Sequence, residues 1–169
     1  AIGSDTRTSG EMVRCAVIGG LLATGCDVYD FGVIPVPTLQ IAIARRDYDG
    51  GVAITASHNP QEWNALKFVR PDGVFLHPYQ AEEVLNIYHQ GEFGLVGEDD
   101  VAAVFSASGA IEEHLELLLS NTDADCIRDA GLHVVLDCCN GAGAMLAPRL
   151  LKELGCRKVT VINAEPNGL

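Results

Sequence analysis

Basic residues are scarce in this sequence. Only 11 lysines and arginines stand against 23 acidic residues in a chain of 169, for a formal net charge of −12. A surface this acidic repels nucleic acid and anionic lipid, so the chain lacks the electrostatic footprint of a nucleic-acid-binding protein. An anionic small molecule remains compatible with it, because a local cluster of donors overrides the global field at short range.

Long apolar runs and a leader segment are also missing. No stretch approaches the roughly 20 apolar residues that span a bilayer, and no basic-then-apolar segment opens the chain. The cysteines form no C-x-x-C pair, which argues against a zinc knuckle or a thioredoxin-type site. Most of them lie in apolar stretches, as free thiols in a reducing compartment do. We therefore expect a cytoplasmic protein without a membrane partner. The cysteines are Cys15, Cys26, Cys126, Cys138, Cys139 and Cys156.

The order of the secondary-structure signals predicts a layered α/β domain. The chain opens on what resembles the end of a strand, and Thr8-x-x-Glu11 fits a capping box that begins a helix. Gly25 suits the left-handed residue that closes this helix. Strands are predicted at 28–33, 51–55 and 66–69, and helices at 78–89 and from a cap at Thr38 to residue 45. Alternating strands and helices indicate a mixed-sheet α/β domain.

The pattern restarts in the last third of the chain. After an acidic, glycine-rich connection at 91–100 and a helix at 110–121, we predict a strand at 133–137, a helix at 144–154 and a strand at 158–162. The run Asp123-Ala124-Asp125 is interpreted as a helix end or a linker. We place a domain boundary near Ala130. This divides the chain into 1–130 and 131–169, and the second part, with about 40 residues, is too short for a core of its own.

A serine stands where a predicted strand ends, in the run Thr55-Ala56-Ser57-His58-Asn59-Pro60. Small residues and a proline predict a tight, exposed turn at the carboxyl edge of the sheet, where α/β proteins bind ligands. Ser57 is then a hydrolase nucleophile with His58 as its base, a phosphorylated residue, or a plain turn former. Neighbouring side chains in an extended segment point apart, and no G-x-S-x-G elbow is present, which disfavours the hydrolase.

This run, followed by Asn64-Ala65-Leu66-Lys67-Phe68, closely resembles the active-site loop of the α-D-phosphohexomutases. The family includes phosphoglucomutases, phosphomannomutases and phosphoglucosamine mutases. Asp5-Thr6-Arg7-Thr8-Ser9-Gly10 is similar to its first-domain motif, and residues 133–155 are similar to the opening of its second domain. The resemblance therefore covers nearly the whole chain. It implies that the chain corresponds to the N-terminal region of such a mutase.

The resemblance implies a role for each matching residue. Ser57 carries the phosphoryl group, gives it to a hexose monophosphate and takes another back from the bisphosphorylated sugar. Arg7 lies near the phosphoserine, and its planar fork of donors suits phosphate. Lys67 is a candidate general acid/base. Together with Arg7, Ser57, His58 and Asn59 it is also expected to bind the substrate or its phosphate. His58 is expected to donate to the phosphoryl group or to brace the loop, and Asn59 to shape the turn beside the bound phosphate.

The resemblance also implies Mg²⁺, held by three aspartates of a later acidic loop together with the serine phosphate. No such loop occurs in this sequence, so Ser57 is the only metal ligand expected here, through its phosphate. Two departures from the family pattern, Ser4 for a larger residue and Ala65 for a frequent glycine, remove no reacting group. We expect the isolated chain to be inactive.

The predicted function is interconversion of hexose 1-phosphate and hexose 6-phosphate through a phosphoserine, with hexose 1,6-bisphosphate as intermediate and activator. A hexose phosphate of the glucose, mannose or glucosamine type is the expected partner. The alternatives are a non-catalytic phosphosugar-binding module that has kept the loop and, less favoured, a serine hydrolase.

Overall fold

The computed structural model describes residues 1–168 and alternates strands with helices. In chain order the elements are β1 (Ile2–Ser4), α1 (Gly10–Ala23), β2 (Val28–Val33), α2 (Val36–Arg45), β3 (Gly51–Ile54), β4 (Leu66–Val69), α3 (Pro78–Gln90), β5 (Val104–Ser106), α4 (Ala110–Ser120), α5 (Ala124–Asp129), β6 (His133–Asp137), α6 (Ala147–Glu153) and β7 (Lys158–Ile162). Short 3₁₀ turns lie at Glu98–Asp100 and Ala142–Met145. Of the helices in this described part, none has the length and apolarity that crossing a membrane requires.

Five strands form one sheet in the order β4-β3-β1-β2-β5. Neighbouring strands run parallel except β4, which is antiparallel to β3. Ile2 pairs with Val52 and Ser4 pairs with Ile54, so β1 and β3 end at the same edge of the sheet. The predicted mixed-sheet α/β fold is confirmed. The pairing also brings the residues that follow β1 next to those that follow β3.

Helices cover both faces of this sheet, because side chains alternate between faces along each strand. On one face a buried cluster of Ile2, Val28, Val52 and Ile54 packs against the apolar stripe of α1. On the other face Ala53 joins a buried cluster with residues of α2 and with Ala110 of α4. The sheet is therefore the middle layer of three, and its buried strands form a rigid base for the loops at their ends.

The last part of the chain has a separate parallel sheet of two strands, β6 and β7. Helix α4 lies between the two sheets, in contact with α2 on one side and α6 on the other. An ion pair supports the second contact, with Arg149 donating to Glu112 at 2.7 Å. The boundary near Ala130 stays a prediction, although the break between the two sheets lies close to it.

The start of α1 differs from the prediction. The helix begins at Gly10, after Ser9, and the capping box predicted from Thr8 and Glu11 is wrong. The Glu11 carboxylate accepts hydrogen bonds from Arg14 at 3.0 and 2.7 Å instead. An arginine three residues further along the helix competes successfully for the carboxylate, because it offers a charge-assisted pair of donors. The predicted closing residue is confirmed, since Gly25 has a φ of 78° just beyond the helix end.

The start of α2 is also earlier than predicted. It begins at Val36, which places Thr38 inside the first turn rather than at the cap. Proline is tolerated in a first turn, where the backbone N–H has no helical partner, so Pro37 does not delay the helix. The Thr38 hydroxyl is fully buried and hydrogen-bonds His114 Nδ1 of α4 at 2.8 Å. Its role is therefore to join two helices.

Three short features of the C-terminal half were missed or misplaced. The helix predicted from residue 144 begins at Ala147, because a 3₁₀ turn precedes it and Pro148 stands in its first turn. Strand β5 and helix α5 were not predicted. Asp123 caps α5 by accepting from the Cys126 amide at 3.0 Å, so the acidic run begins a helix instead of ending one.

Candidate active site

The candidate site is the loop of residues 55–65 between β3 and β4, called here the serine loop. It leaves the sheet at the carboxyl end of β3, where ligands of α/β proteins bind. The segment that follows β1 runs beside it, with the Asp5 amide donating to the Ile54 carbonyl at 3.1 Å. The two sequence motifs, some 50 residues apart, therefore meet in one place.

Ser57 occupies an exposed and uncommon backbone position. Its φ is +55°, in the left-handed region that side-chain-bearing residues seldom adopt. A residue held in such a conformation costs of order 1–3 kcal/mol and persists only where the surrounding structure determines it. The Ser57 amide donates to the Thr55 hydroxyl at 3.1 Å. The side-chain oxygen is thereby directed to solvent on a fixed backbone.

Arg7 lies behind the serine loop with only 9% of its surface exposed. Its guanidinium has five N–H donors, and all are used within the protein. Nε donates to Asp5 at 3.1 Å. The two terminal nitrogens donate to backbone carbonyls of the loop, namely those of Ser57 at 2.9 Å, Asn59 at 2.7 Å, Pro60 at 2.6 Å and Trp63 at 2.9 Å. Phosphate binding by Arg7 would therefore require it to give up one of these bonds.

Asp5 connects Arg7 to the strand end. One carboxylate oxygen accepts from the Arg7 amide at 3.1 Å. The other accepts from Arg7 Nε at 3.1 Å and from the Thr55 hydroxyl at 2.6 Å. A continuous chain of hydrogen bonds therefore runs from the Ser57 amide through Thr55 and Asp5 to Arg7. Asp5 and Thr55 were not singled out from the sequence, although both belong to the motifs that were.

His58 lies closer to Ser57 than predicted. The Ser57 hydroxyl and His58 Nδ1 are 3.4 Å apart, a long contact for a hydrogen bond. The argument that adjacent side chains point apart is wrong here, because it assumes an extended backbone and Ser57 is left-handed. Within residues 1–168 no carboxylate hydrogen-bonds His58, so the third member of a Ser-His-Asp arrangement is missing from this part of the protein.

Two asparagines shape the loop. Asn59 is exposed, and its backbone N–H donates to the Ala56 carbonyl at 3.1 Å, which closes a turn around the serine. Asn64 lies at the far end of the loop, where its side chain donates to the Ser9 hydroxyl at 3.0 Å and accepts from the Ala65 amide at 2.9 Å. The loop is thus tied at its end to the start of α1.

Lys67 projects from β4, opposite Ala53 of β3. Its ammonium group lies 5.6 Å from the centre of the Phe75 ring, a cation–π contact. In the described part of the chain Lys67 takes part in no ion pair, and no hydrogen bond joins it to Ser57. The side chain is half-buried and no carboxylate in residues 1–168 neutralises its ammonium.

The residues present do not by themselves form a metal site. Among residues 1–168 no three His, Cys, Asp or Glu side chains gather closely enough to hold a metal ion. Asp5, the acid tied to the end of β3 through Thr55, already accepts three hydrogen bonds with its two oxygens. A metal at Ser57 would therefore depend on oxygens of its phosphate and on ligands from outside this chain.

The described part of the chain thus combines a three-layer α/β/α domain with an exposed serine that is held at the end of a strand. Models of the phosphoglucomutase/phosphomannomutase alpha/beta/alpha domains I and II match residues 1–95 and 112–168, respectively. The chain belongs to the phosphoglucomutase/phosphomannomutase family.

Individual relatives agree with this assignment. The phosphoglucomutase/phosphomannomutase of Thermococcus kodakarensis is 40% identical over 167 residues, which are 99% of this chain and 36% of the relative. The phosphoglucosamine mutase of Methanococcus maripaludis is 36% identical over 160 residues, or 95% of this chain and 34% of the relative. This chain therefore spans about a third of the length of these curated relatives.

Solved structures support the fold. A phosphoglucomutase/phosphomannomutase family protein of Burkholderia thailandensis superposes with a TM-score of 0.81 at 24% identity, over 99% of this chain and 36% of that one. The Paramecium phosphoglucomutase parafusin gives a TM-score of 0.72 at 16% identity, over 99% of this chain and 36% of that one. Identities this low carry an argument about architecture alone.

Proposed function

We propose that this chain is the phosphoserine-bearing part of a hexose-phosphate mutase. Ser57 in its phosphorylated form transfers the phosphoryl group to a free hydroxyl of a hexose monophosphate, which becomes a bisphosphate. The bisphosphate returns its other phosphoryl group to the Ser57 oxygen. The sum is exchange of the 1- and 6-phosphates, with no net gain or loss of phosphate.

The observation that carries this proposal is the exposed, left-handed Ser57 on a loop anchored by a buried arginine. Phosphoryl transfer depends mainly on positioning and on neutralising charge. A loop that holds its nucleophile at a strained angle with many hydrogen bonds meets the first requirement. Family membership supplies the chemistry that this geometry serves.

Lys67 and His58 are the proposed partners of the reaction. Lys67 exchanges a proton with the sugar hydroxyl that accepts or releases the phosphoryl group, because it lies on the strand that follows the serine loop and no carboxylate competes for its ammonium. His58, whose ring lies 3.4 Å from the Ser57 oxygen, donates to the phosphoryl group once it is attached. Asn59 shapes the turn beside them.

Mg²⁺ and hexose 1,6-bisphosphate remain part of the proposal. A Mg²⁺ ion would neutralise charge on the transferring phosphoryl group. Residues 1–168 contain no cluster of side chains that could hold a metal ion. The protein ligands of Mg²⁺ must therefore come from elsewhere, and we assign to this chain only the phosphate of Ser57. All six cysteines are free thiols, as is usual in a reducing compartment, and this supports a cytoplasmic location.

The test is turnover of glucose 1-phosphate, mannose 1-phosphate and glucosamine 1-phosphate by the complete gene product and its Ser57→Ala variant. We expect loss of nearly all turnover, because the phosphoryl carrier is removed. Ser106→Ala is the matched control, an exposed serine on the same sheet that should keep full turnover. Unchanged turnover in Ser57→Ala would refute the assignment.

Mass spectrometry separates the alternatives. A stable phosphate on Ser57 favours the mutase, whereas an acyl adduct formed at Ser57 by a serine-reactive probe favours a hydrolase. A protein that binds the sugar phosphates but turns over none of them, with Ser57 unmodified, is a binding module that has kept the loop.

A further inference from the structure

The guanidinium of Arg7 points at the backbone of the serine loop, and its five N–H donors are all used by loop carbonyls and Asp5. We propose that Arg7, Asp5 and Thr55 are positioning residues, which turn the loop carbonyls away from the phosphoryl group on Ser57 and fix the Ser57 amide before substrate binds. This inference rests on the proposed function, because it assigns roles around the same serine.

The first step of the argument is the direction of the peptide groups. All peptide bonds in residues 1–168 are trans, and in a trans peptide the N–H points opposite to the C=O of the preceding residue. Because the Ser57 carbonyl points at Arg7, the His58 N–H points away from it. This N–H donates to no acceptor within residues 1–168. It is therefore left available, directly beside the Ser57 side chain.

The second step is electrostatic. A phosphoserine carries a charge of about −1.5 to −2 and would be repelled by carbonyl oxygens turned towards it. Four carbonyls of the loop are instead collected by one buried cation. Arg7 thus removes four negative dipole ends from the surface of the loop, and the His58 N–H, at the other end of the Ser57 peptide group, is left there. A lysine cannot replace it, because three donors on a point charge do not match four carbonyls and a carboxylate.

The third step concerns the chain from Ser57 to Asp5. The Thr55 hydroxyl donates to Asp5 at 2.6 Å and accepts from the Ser57 amide at 3.1 Å. Thr55 is 4% exposed, so water cannot readily take over either bond. Asp5 in turn holds Arg7 through its amide and Nε. The backbone angle of Ser57 is thereby coupled to the same network that orients the carbonyls.

The experiment compares two Thr→Val variants of the complete gene product. Thr55→Val removes the link between Ser57 and Asp5. Thr38→Val is the matched control, since Thr38 is also buried and loses one side-chain hydrogen bond, but to His114 between two helices. The measurement is the rate of Ser57 phosphorylation by glucose 1,6-bisphosphate, followed by mass spectrometry, together with KM and the melting temperature.

We expect Thr55→Val to lower the phosphorylation rate about tenfold with KM changed less than twofold, because a misplaced reacting group slows transfer without touching the sugar. Thr38→Val should keep the wild-type rate even where it melts at a similarly reduced temperature. Equal rates in the two variants would overturn the role of Thr55. If the two variants have equal rates but Ser57→Ala still loses turnover, the role of Thr55 is wrong and the mutase assignment stands.

Arg7→Lys and Arg7→Gly test the arginine itself. For Arg7→Lys we expect kcat to fall about 100-fold at nearly constant KM, the size of effect that a misplacement of about 1 Å produces. Added guanidinium ion should restore at least a tenth of the activity of Arg7→Gly by refilling the space. A raised KM with unchanged kcat would show that Arg7 binds the substrate phosphate directly, and would overturn the proposal.

Discussion

The serine loop after β3 and the loop after β6 both leave the end of a strand through left-handed, non-glycine residues, as the chain also does after β7 at Asn163, but the two loops are held in different ways. In the serine loop after β3, Ser57 has a φ of +55°, and a buried arginine contributes four hydrogen bonds to the loop backbone. In the loop after β6, Cys139 and Asn140 have φ of +48° and +49°. There the exposed Asp137 accepts from the Cys139 amide at 2.8 Å and from the Asn163 side chain at 3.0 Å.

The difference shows that a left-handed backbone angle does not by itself identify an active site. A local carboxylate at the strand end is sufficient to support such a turn, as Asp137 does. A buried arginine is a costlier support, because a charge must be taken out of water and every donor satisfied. Where the chain uses it, the loop is held at four points along its length, and this is the loop that carries the candidate nucleophile.

The largest effect should come from removing that support. Arg7→Ala leaves four loop carbonyls and the partly buried Asp5 without their donor. We expect the free energy of unfolding to fall by about 3–5 kcal/mol, the range found when one partner of a buried ion pair is deleted. Urea denaturation of the wild type and the variant measures it. A loss below about 1 kcal/mol would indicate that the loop supports itself, as the loop after β6 does.

A pair of glycine substitutions compares the two loops directly. Ser57→Gly and Cys139→Gly each relieve a φ near +50°, and we expect each to raise the free energy of unfolding by up to about 1 kcal/mol, offset in part by unfolded-state entropy. Only Ser57→Gly should abolish turnover, because it deletes the proposed phosphoryl carrier. Denaturation and a mutase assay on both variants give the comparison. Turnover lost in both would show that the second loop also takes part in the reaction.

Acid should weaken the helix pair behind the sheet. Burial lowers the pKa of His114 below its ordinary value of 6.5, so the unfolded chain binds a proton more readily than the folded one. The contribution of neutral His114 is therefore present above about pH 6.5 and is lost as the pH falls towards the lowered pKa. We expect the melting temperature to drop between pH 7.5 and 5.5.

His114→Gln is the control for this pH dependence, because its side chain retains an amide that can bond the Thr38 hydroxyl but does not titrate. We expect a flatter melting profile in this variant over the same interval. An equally steep profile would assign the acid sensitivity to other groups.

The smallest effect is expected at the loop after β6. Hydrogen bonds from the Cys139 amide and the Asn163 side chain lower the pKa of Asp137. Its contribution is present above the ordinary carboxyl pKa and is lost as the pH falls through the lowered one. Asp137→Asn should therefore melt slightly below the wild type at pH 7 and equal it at low pH. A shift as large as that of Arg7→Ala would erase the difference between the two loops.

Several elements were predictable because their signals are local. The bounds of β2, β4, β6 and β7 agree with the sequence prediction, since each is a short apolar run between turn-forming residues. The elements that were missed, β5 with three residues and α5 with six, are too short to show a period. The starts of α1 and α2 were misjudged, because a cap pattern says nothing about competing partners such as Arg14 and His114.

The order of residues alone was enough to predict that a strand ends in an exposed serine, that the fold is of the α/β type, and that the motifs are those of the phosphoglucomutase/phosphomannomutase family. The folded chain was needed to show which groups Arg7 binds and how close His58 lies to Ser57. The partners of Arg7 in the loop are backbone carbonyls 50 to 56 residues away. Every residue has a backbone carbonyl, so the side chains in the sequence do not show which carbonyls a buried arginine will bind.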